Sequence, residues 1–261
     1  GGLNQAPSMD YQPITYVAPS STRENAYPFL GQVPGLKRWV GEREVRNLTQ
    51  HDYTIVNEKF EDTISVPREH IEDDQYGVYG QRFTEMGRAI AAHPNQLVFE
   101  ALAAGHENLC YDGQNFFDAD HPVKQEDGTY ASVSNIQTGA GPAWYLVDAT
   151  KAMKPIILQN RVQPMLVRKD RDTDDNVFDR DEYVYGARVR RAAGYGYWQT
   201  AFRSTAELNA DNYAAARAAM HAIRGDENRP LNIRPTHLVI PTALEAAALE
   251  LLNADRNTAG A

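Results

Sequence analysis

Cysteine is almost missing from this chain. Cys110 is the single one in 261 residues, which excludes an intramolecular disulfide framework and fits a reducing compartment such as the cytosol. Basic residues are outnumbered too: 26 Lys and Arg stand against 35 Asp and Glu, a formal charge of −9. That balance excludes a general nucleic-acid coat, whose affinity comes from neutralising phosphates, but leaves a local basic face open. No apolar run approaches the roughly 20 residues of a membrane span, so no membrane partner is expected. The sequence also has no phosphate-binding glycine loop, no nucleophile elbow and no internal repeat. An enzyme would have to keep its site out of every recognisable motif.

The rest is the composition of a folded protein, 42% hydrophobic and 23% charged, long enough for one large core or two modest ones. Residues 1 to 36 carry Pro7, Pro13, Pro19, Pro28 and Pro34, with apolar side chains too scattered for either period. This predicts an extended arm, docked elsewhere or else a disordered tail. Trp39 to Val66 holds two strand-like runs. In the second, Phe60, Ile64 and Val66 alternate with Lys59, Glu61, Thr63 and Ser65, the period of a half-exposed strand. A two-stranded ribbon is marginal alone in water. It is either a clasp on another subunit or an edge hairpin guarded by charge.

After Pro67, the acids Glu69, Glu72, Asp73 and Asp74 precede Arg82, Arg88 and His93, an order that complements a helix macrodipole. Tyr79, Phe83, Met86 and Ile90 form one apolar stripe, so the spacing predicts a long helix from Pro67 to Ala92. Pro94 is then expected to start a shorter helix ending at Gly105. Turn-rich sequence follows to Gly141. Short strands are expected at Trp144–Val147 and Ile156–Leu158, and a half-exposed one at Tyr183–Arg190, with Gly194–Phe202 pairing back on it. Asn209 predicts a capped helix with Tyr213, Ala216, Met220 and Ile223 inward. His237–Ile240 reads as a buried strand, and Thr242 with Glu245 as the capping box of a last helix. Strands and helices without regular alternation make this an α+β chain.

Three groups of residues could carry chemistry. Asp118, Asp120 and His121, with Asp112 nearby, would be the metal ligands of a hydrolase, yet turn-forming sequence explains them and no second His-rich motif completes the set. Asp170, Asp172, Asp174, Asn176 and Asp181 imitate a calcium loop, but Asp175 replaces its turn glycine and Asp181 its final Glu, so a solvated acidic loop is expected. Arg188, Arg190 and Arg191 form one basic cluster, facing either DNA or an acidic neighbour. Cys110 reads as a buried thiol. No catalytic residue, cofactor or metal is assigned.

Several stretches resemble the Mu-like phage major head subunit family: Val66-Pro-Arg-Glu-His-Ile-Glu-Asp-Asp74, Tyr111-Asp-Gly-Gln-Asn-Phe-Phe117 with Asp120-His121-Pro122, and Trp144–Val147 with Lys154–Gln159. Gly196–Ala201 and Arg229–Pro235 leading into Leu238–Pro241 resemble it too. The resemblance implies the tailed-bacteriophage major capsid fold, with residues 1–36 as an N-terminal arm and 37–66 as an extended hairpin loop. Residues 67–204 would be a peripheral domain with a spine helix at 67–92, and 205–261 part of an axial domain. It implies no enzyme. The chain would form hexamers and pentamers of an icosahedral head around double-stranded DNA, assembled in the host cytoplasm, with scaffold, portal and decoration proteins as further partners. A nanocompartment shell of the same fold and the hydrolase stay as alternatives. On this reading Trp39, Arg43, Glu44, Arg46, Tyr53, Glu58, Lys59 and Phe60 make inter-subunit contacts. Removing residues 43 to 60 is then expected to leave a folded subunit that closes no shells.

Overall fold

The structure is a computed structural model and describes residues 9–27, 53–74 and 77–253. In chain order its elements are β1 (Thr15–Pro19), β2 (Glu24–Ala26), β3 (Thr54–Val56), β4 (Glu58–Pro67), α1 (Arg68–Glu72) and α2 (Val78–Ala103). Then come β5 (His121–Lys124), β6 (Tyr130–Val133), β7 (Ile136–Gln137), β8 (Trp144–Val147), β9 (Ile156–Lys169), α3 (Asp175–Arg180) and β10 (Glu182–Tyr195). The chain closes with β11 (Ala201–Ser204), α4 (Ala210–Ala222), β12 (Arg224–Gly225), β13 (Arg229–Pro230), β14 (His237–Val239) and α5 (Glu245–Asn253).

Two sheets organise these elements. The first has the order β1-β9-β10-β4, in which β10 lies antiparallel to both β9 and β4 while β1 runs parallel to β9. Its alternation is legible in sequence: Ala187 and Val189 are buried with Met86 and Ile90 of α2, and Phe60 and Ile64 of β4 pack on them. The second sheet, β14-β8-β11-β7, lies over the large core, where Trp144, Leu146 and Val147 are almost wholly buried. Ile156, Ile157 and Leu158, at the start of β9, belong to that core too. The expected 204/205 domain boundary therefore falls inside this sheet, because β14 pairs with β8.

The helix α2 bridges the two cores. Its 26 residues span about 39 Å; Met86 and Ile90 serve the small cluster, and Val98 and Leu102 the large one. This corrects the expected 67–92 helix at both ends. A proline inside a helix loses one backbone bond and costs about 3 kcal/mol, yet α2 continues through Pro94, because apolar stripes on both sides of it are buried. At the other end, the chain makes only the short α1 and then turns, with Gly77 at φ +66° in the left-handed region. The Asp74 carboxylate accepts the N–H groups of Val78 and Tyr79 at 3.1 and 3.2 Å. The acidic run thus precedes α2 rather than forming its first turns.

Other expectations shift as well. Residues 9–27 of the arm stay within the subunit: Ile14 and Ala18 are buried, β1 pairs with β9 and β2 with β3. Strand β10 continues through Gly194 to Tyr195, and β11 pairs with β8 and β7 instead of folding back on β10. Strand β14 is a partly exposed sheet edge rather than a buried strand. Thr242 opens a 3-10 turn with no side-chain cap, so the capping box does not form. Asn209 does cap α4, accepting the Asn212 N–H at 2.9 Å.

Candidate functional site

Position along β10 decides how far each basic residue reaches. Arg188 is exposed, Arg190 half-buried and Arg191 only 2% exposed. The register between β9 and β10 slips on either side of Arg190. In each gap β9 carries one extra residue, Pro164 lying in the first and Arg161 in the second, as suits a proline in a sheet and a bulge. Arg191 is accordingly withdrawn from any DNA-facing or neighbour-facing role, and burial pushes its guanidinium pKa down. Arg188 and Arg190 keep access to solvent.

Among the hairpin residues, Trp39, Arg43, Glu44 and Arg46 lie outside the described residues. Tyr53 is used inside the subunit: its hydroxyl accepts the Tyr195 N–H at 2.8 Å, and burial pushes its phenol well up. Phe60 also packs internally, with its ring centroid 4.3 Å from that of His93. Ile55 and Asn57 are buried, the latter donating to Ser20 Oγ at 2.8 Å. Removing 43–60 would therefore cut into the core, contrary to the expectation from charge pattern. Glu58 and Lys59 remain exposed.

The sheet also presents apolar groups to solvent. Strand β1 covers β9 only from Ile156 to Asn160, and beyond it Met165, Leu166 and Val167 are each more than half exposed. Phe178 on α3 is 85% exposed. A monomer seldom exposes such a run, and an uncovered strand edge invites pairing with another chain. A second feature is a cavity of about 730 Å³ lined by Ile14, Phe99, Leu102, Tyr145, Leu238 and Ile240.

Of the hydrolase set only Asp112 and His121 come together; Asp118 and Asp120 are engaged elsewhere. Asp118 Oδ1 accepts the N–H groups of Ala119 and Asp120 at 2.7 and 3.2 Å, closing its own turn. Asp120 accepts the Ser132 hydroxyl. The acidic calcium-like loop folds as α3, with Asp181 in the left-handed region ending it. Among the described residues the donors that do converge are Cys110, Asp112 and His121, whose ligand atoms all lie within 4.8 Å of one another. Cys110 is the buried thiol that the sequence implies, and the turn at 111–114 brings the Asp112 carboxylate to it.

Cys110 Sγ donates to Asp112 Oδ1 at 3.0 Å, and Asp112 Oδ2 lies 2.7 Å from His121 Nδ1. The His121 ring is fully buried and stacked on Trp198 with centroids 3.9 Å apart. Burial pushes the Asp112 carboxyl up, but the bonds from His121 and Cys110 outweigh it and hold the group below its usual range. Burial and then the Asp112 charge push the Cys110 thiol up.

A family model for the Mu-like prophage major head subunit gpT matches residues 1–261. The major capsid protein of Escherichia phage Mu is 45% identical over 268 residues, covering 99% of this chain and 88% of the Mu protein. A chain from the procapsid of bacteriophage JBD30 superposes with a TM-score of 0.83 at 46% identity, covering 96% of this chain and 85% of that one. In the JBD30 capsid decorated with minor capsid protein trimers the values are 0.80 and 34%, with 97% and 87% covered.

Proposed function

The chain belongs to the Mu-like prophage major head subunit family, and from that premise we propose that it assembles as hexamers and pentamers into a closed icosahedral head around double-stranded DNA. It is a major capsid protein with the tailed-phage capsid fold. The observation that carries this is the superposition on a procapsid chain over almost the whole length. The relatives are phage head subunits, which disfavours a nanocompartment shell, and the scattered Asp118, Asp120 and His121 disfavour a hydrolase.

The contact surface follows from what the subunit leaves uncovered. Met165, Leu166 and Val167 on the open part of β9, Phe178 on α3, and the charged Glu58 and Lys59 on β4 meet neighbouring copies. Trp39, Arg43, Glu44 and Arg46, outside the described residues, are proposed as further inter-subunit contacts. The first sheet with the first half of α2 forms the peripheral domain, and the second sheet with α4 and α5 the axial one. Arg188 and Arg190 give weak, non-specific contact with packaged DNA. Minor capsid proteins like those that decorate the JBD30 capsid are a further partner, alongside scaffold and portal proteins. DNA cargo tests this reading: particles from infected or induced cells should hold nuclease-protected DNA of genome length. Particles holding an enzyme and no DNA would overturn it.

A further inference from the structure

Asn135 determines which nitrogen of His121 carries a hydrogen. Its Nδ2 donates to the Phe116 carbonyl at 2.8 Å, and its Oδ1 accepts the Asp118 N–H at 2.9 Å. Turning the amide over would set donor against donor and acceptor against acceptor. The same Oδ1, an acceptor, lies 3.3 Å from His121 Nε2, an arrangement that suits a hydrogen on Nε2. In a neutral imidazole this leaves a bare lone pair on Nδ1. That lone pair faces the Asp112 carboxylate at 2.7 Å. The 2.7 Å contact is made either through a proton on Nδ1 or through a metal ion.

The third member of the group distinguishes the two. Cys110 Sγ is directed at the other oxygen of the same carboxylate. A proton shared by His121 and Asp112 needs no thiol nearby. A thiolate, an imidazole nitrogen and a carboxylate oxygen together make a donor set suited to zinc. Asn135 holding the remote N–H of the ring is the outer support that metal-bound histidines almost always have. We propose that Cys110, Asp112 and His121 bind one divalent ion of the zinc class through Sγ, a carboxylate oxygen and Nδ1. The fourth position is left to a water.

A tetrahedral zinc with bonds of about 2.0–2.3 Å keeps its ligand atoms about 3.4–3.6 Å apart. The present Nδ1···Oδ2 separation of 2.7 Å would open by several tenths of an ångström on binding, and Sγ, now 3.0 Å from the other oxygen, would turn toward the ion. Cys110 Sγ–H donates to Asp112 without the ion, so binding forms a metal–sulfur bond, breaks the S–H bond and releases that proton to solvent. An imidazolium at the outset would release a second, which makes the proton count a report on the starting state. The ion would join the turn at 111–114 to the first residue of β5. Through the ring stacked on Trp198, it would also brace the turn between β10 and β11.

The test uses the full chain, stripped with a chelator and titrated with ZnCl2 by calorimetry in two buffers of different ionisation enthalpy. CoCl2 is then added as an optical probe of thiolate ligation. The expected result is one ion per chain, release of at least one proton, a thiolate-to-cobalt charge-transfer band, and a Tm that falls on chelation and returns with zinc. Cys110→Ser keeps a hydrogen bond to Asp112 and so keeps the fold, but should lose the band. His121→Asn should weaken binding at least about tenfold, as ligand loss exceeds the effect of outer-shell changes. Less than one-tenth of an equivalent bound, or no band from the wild-type protein, overturns the proposal in favour of a shared proton. Unchanged zinc binding by Cys110→Ser overturns the thiolate's part in it.

Discussion

The Tyr53 hydroxyl accepts the backbone N–H of Tyr195 at 2.8 Å, fastening the strand before β4 to the end of β10. Gly194 beside it leaves room for Ile55, since a Cβ there would meet the Ile55 side chain. Ile55 and Asn57 are therefore interior and Tyr53 packs against the core, whatever their neighbours in sequence do between subunits.

Tyr53→Phe removes the acceptor of an N–H on a residue 4% exposed. Leaving that donor unpaired should cost about 1–3 kcal/mol in chemical denaturation. Deleting 43–60 should abolish soluble folded protein, while deleting only 43–51 should leave a folded subunit that closes no shells. Circular dichroism and electron microscopy of the two deletions check this directly. A folded 43–60 deletion would contradict the core placement.

Two glycines should respond oppositely. A Cβ at Gly196 would collide with the Lys154 carbonyl oxygen, a backbone atom that cannot step aside. Gly196→Ala should thus destabilise by more than about 2 kcal/mol, as overpacking does, and is expected to lower Tm markedly. Gly80, by contrast, is exposed within α2 and has nothing near its missing Cβ. Gly80→Ala should stabilise the subunit by up to about 1 kcal/mol and reduce shell yield, because open space beside it is where another copy would approach. Full shell yield from Gly80→Ala would remove that contact.

Phe178→Ser tests the exposed apolar surface. At 85% exposure the ring contributes little to the subunit, and urea unfolding should move by less than about 0.5 kcal/mol. Shell formation should nevertheless fall. Equal loss of both would mean that the ring belongs to the fold.

Alkaline stability follows from buried phenols. Burial raises the pKa of Tyr53, Tyr195 and Tyr197, and that of Tyr111, whose hydroxyl donates to Gln199 Oε1 at 3.0 Å. Each folded value exceeds its unfolded value of about 10. Their stabilisation is therefore complete below about pH 10 and is lost as the pH rises toward the folded values. Tyrosinate absorbance should appear together with loss of structure. Tyrosinate forming first, in a still folded protein, would contradict this.

The sequence made some parts of this molecule readable and hid others for physical reasons. Period-two alternation in β4 and β10 is a local property and was legible, as was the Asn209 cap. The start of α2 was not, because the acids at 69–74 suit either a helix's first turns or the turn ahead of it, and Gly77 at positive φ decides between them. Local rules make Pro94 a boundary, but burial of Val98 and Leu102 on one side and Ile90 on the other overrides them. The sequence places Asp112 with His121 but not Cys110, because a lone thiol with no His at motif spacing shows no partner until the turn at 111–114 folds. Arg191 shares the face of Ala187 and Val189 on β10, so period-two alternation alone separates it from the exposed Arg188.

The central claim is that this subunit assembles with itself. Sedimentation velocity of the full chain across a wide concentration range, with electron microscopy of the fastest fraction, tests it most directly. Capsomers or closed shells of uniform diameter are the predicted result. A stable monomer at every concentration, with and without the other head proteins, would contradict the account.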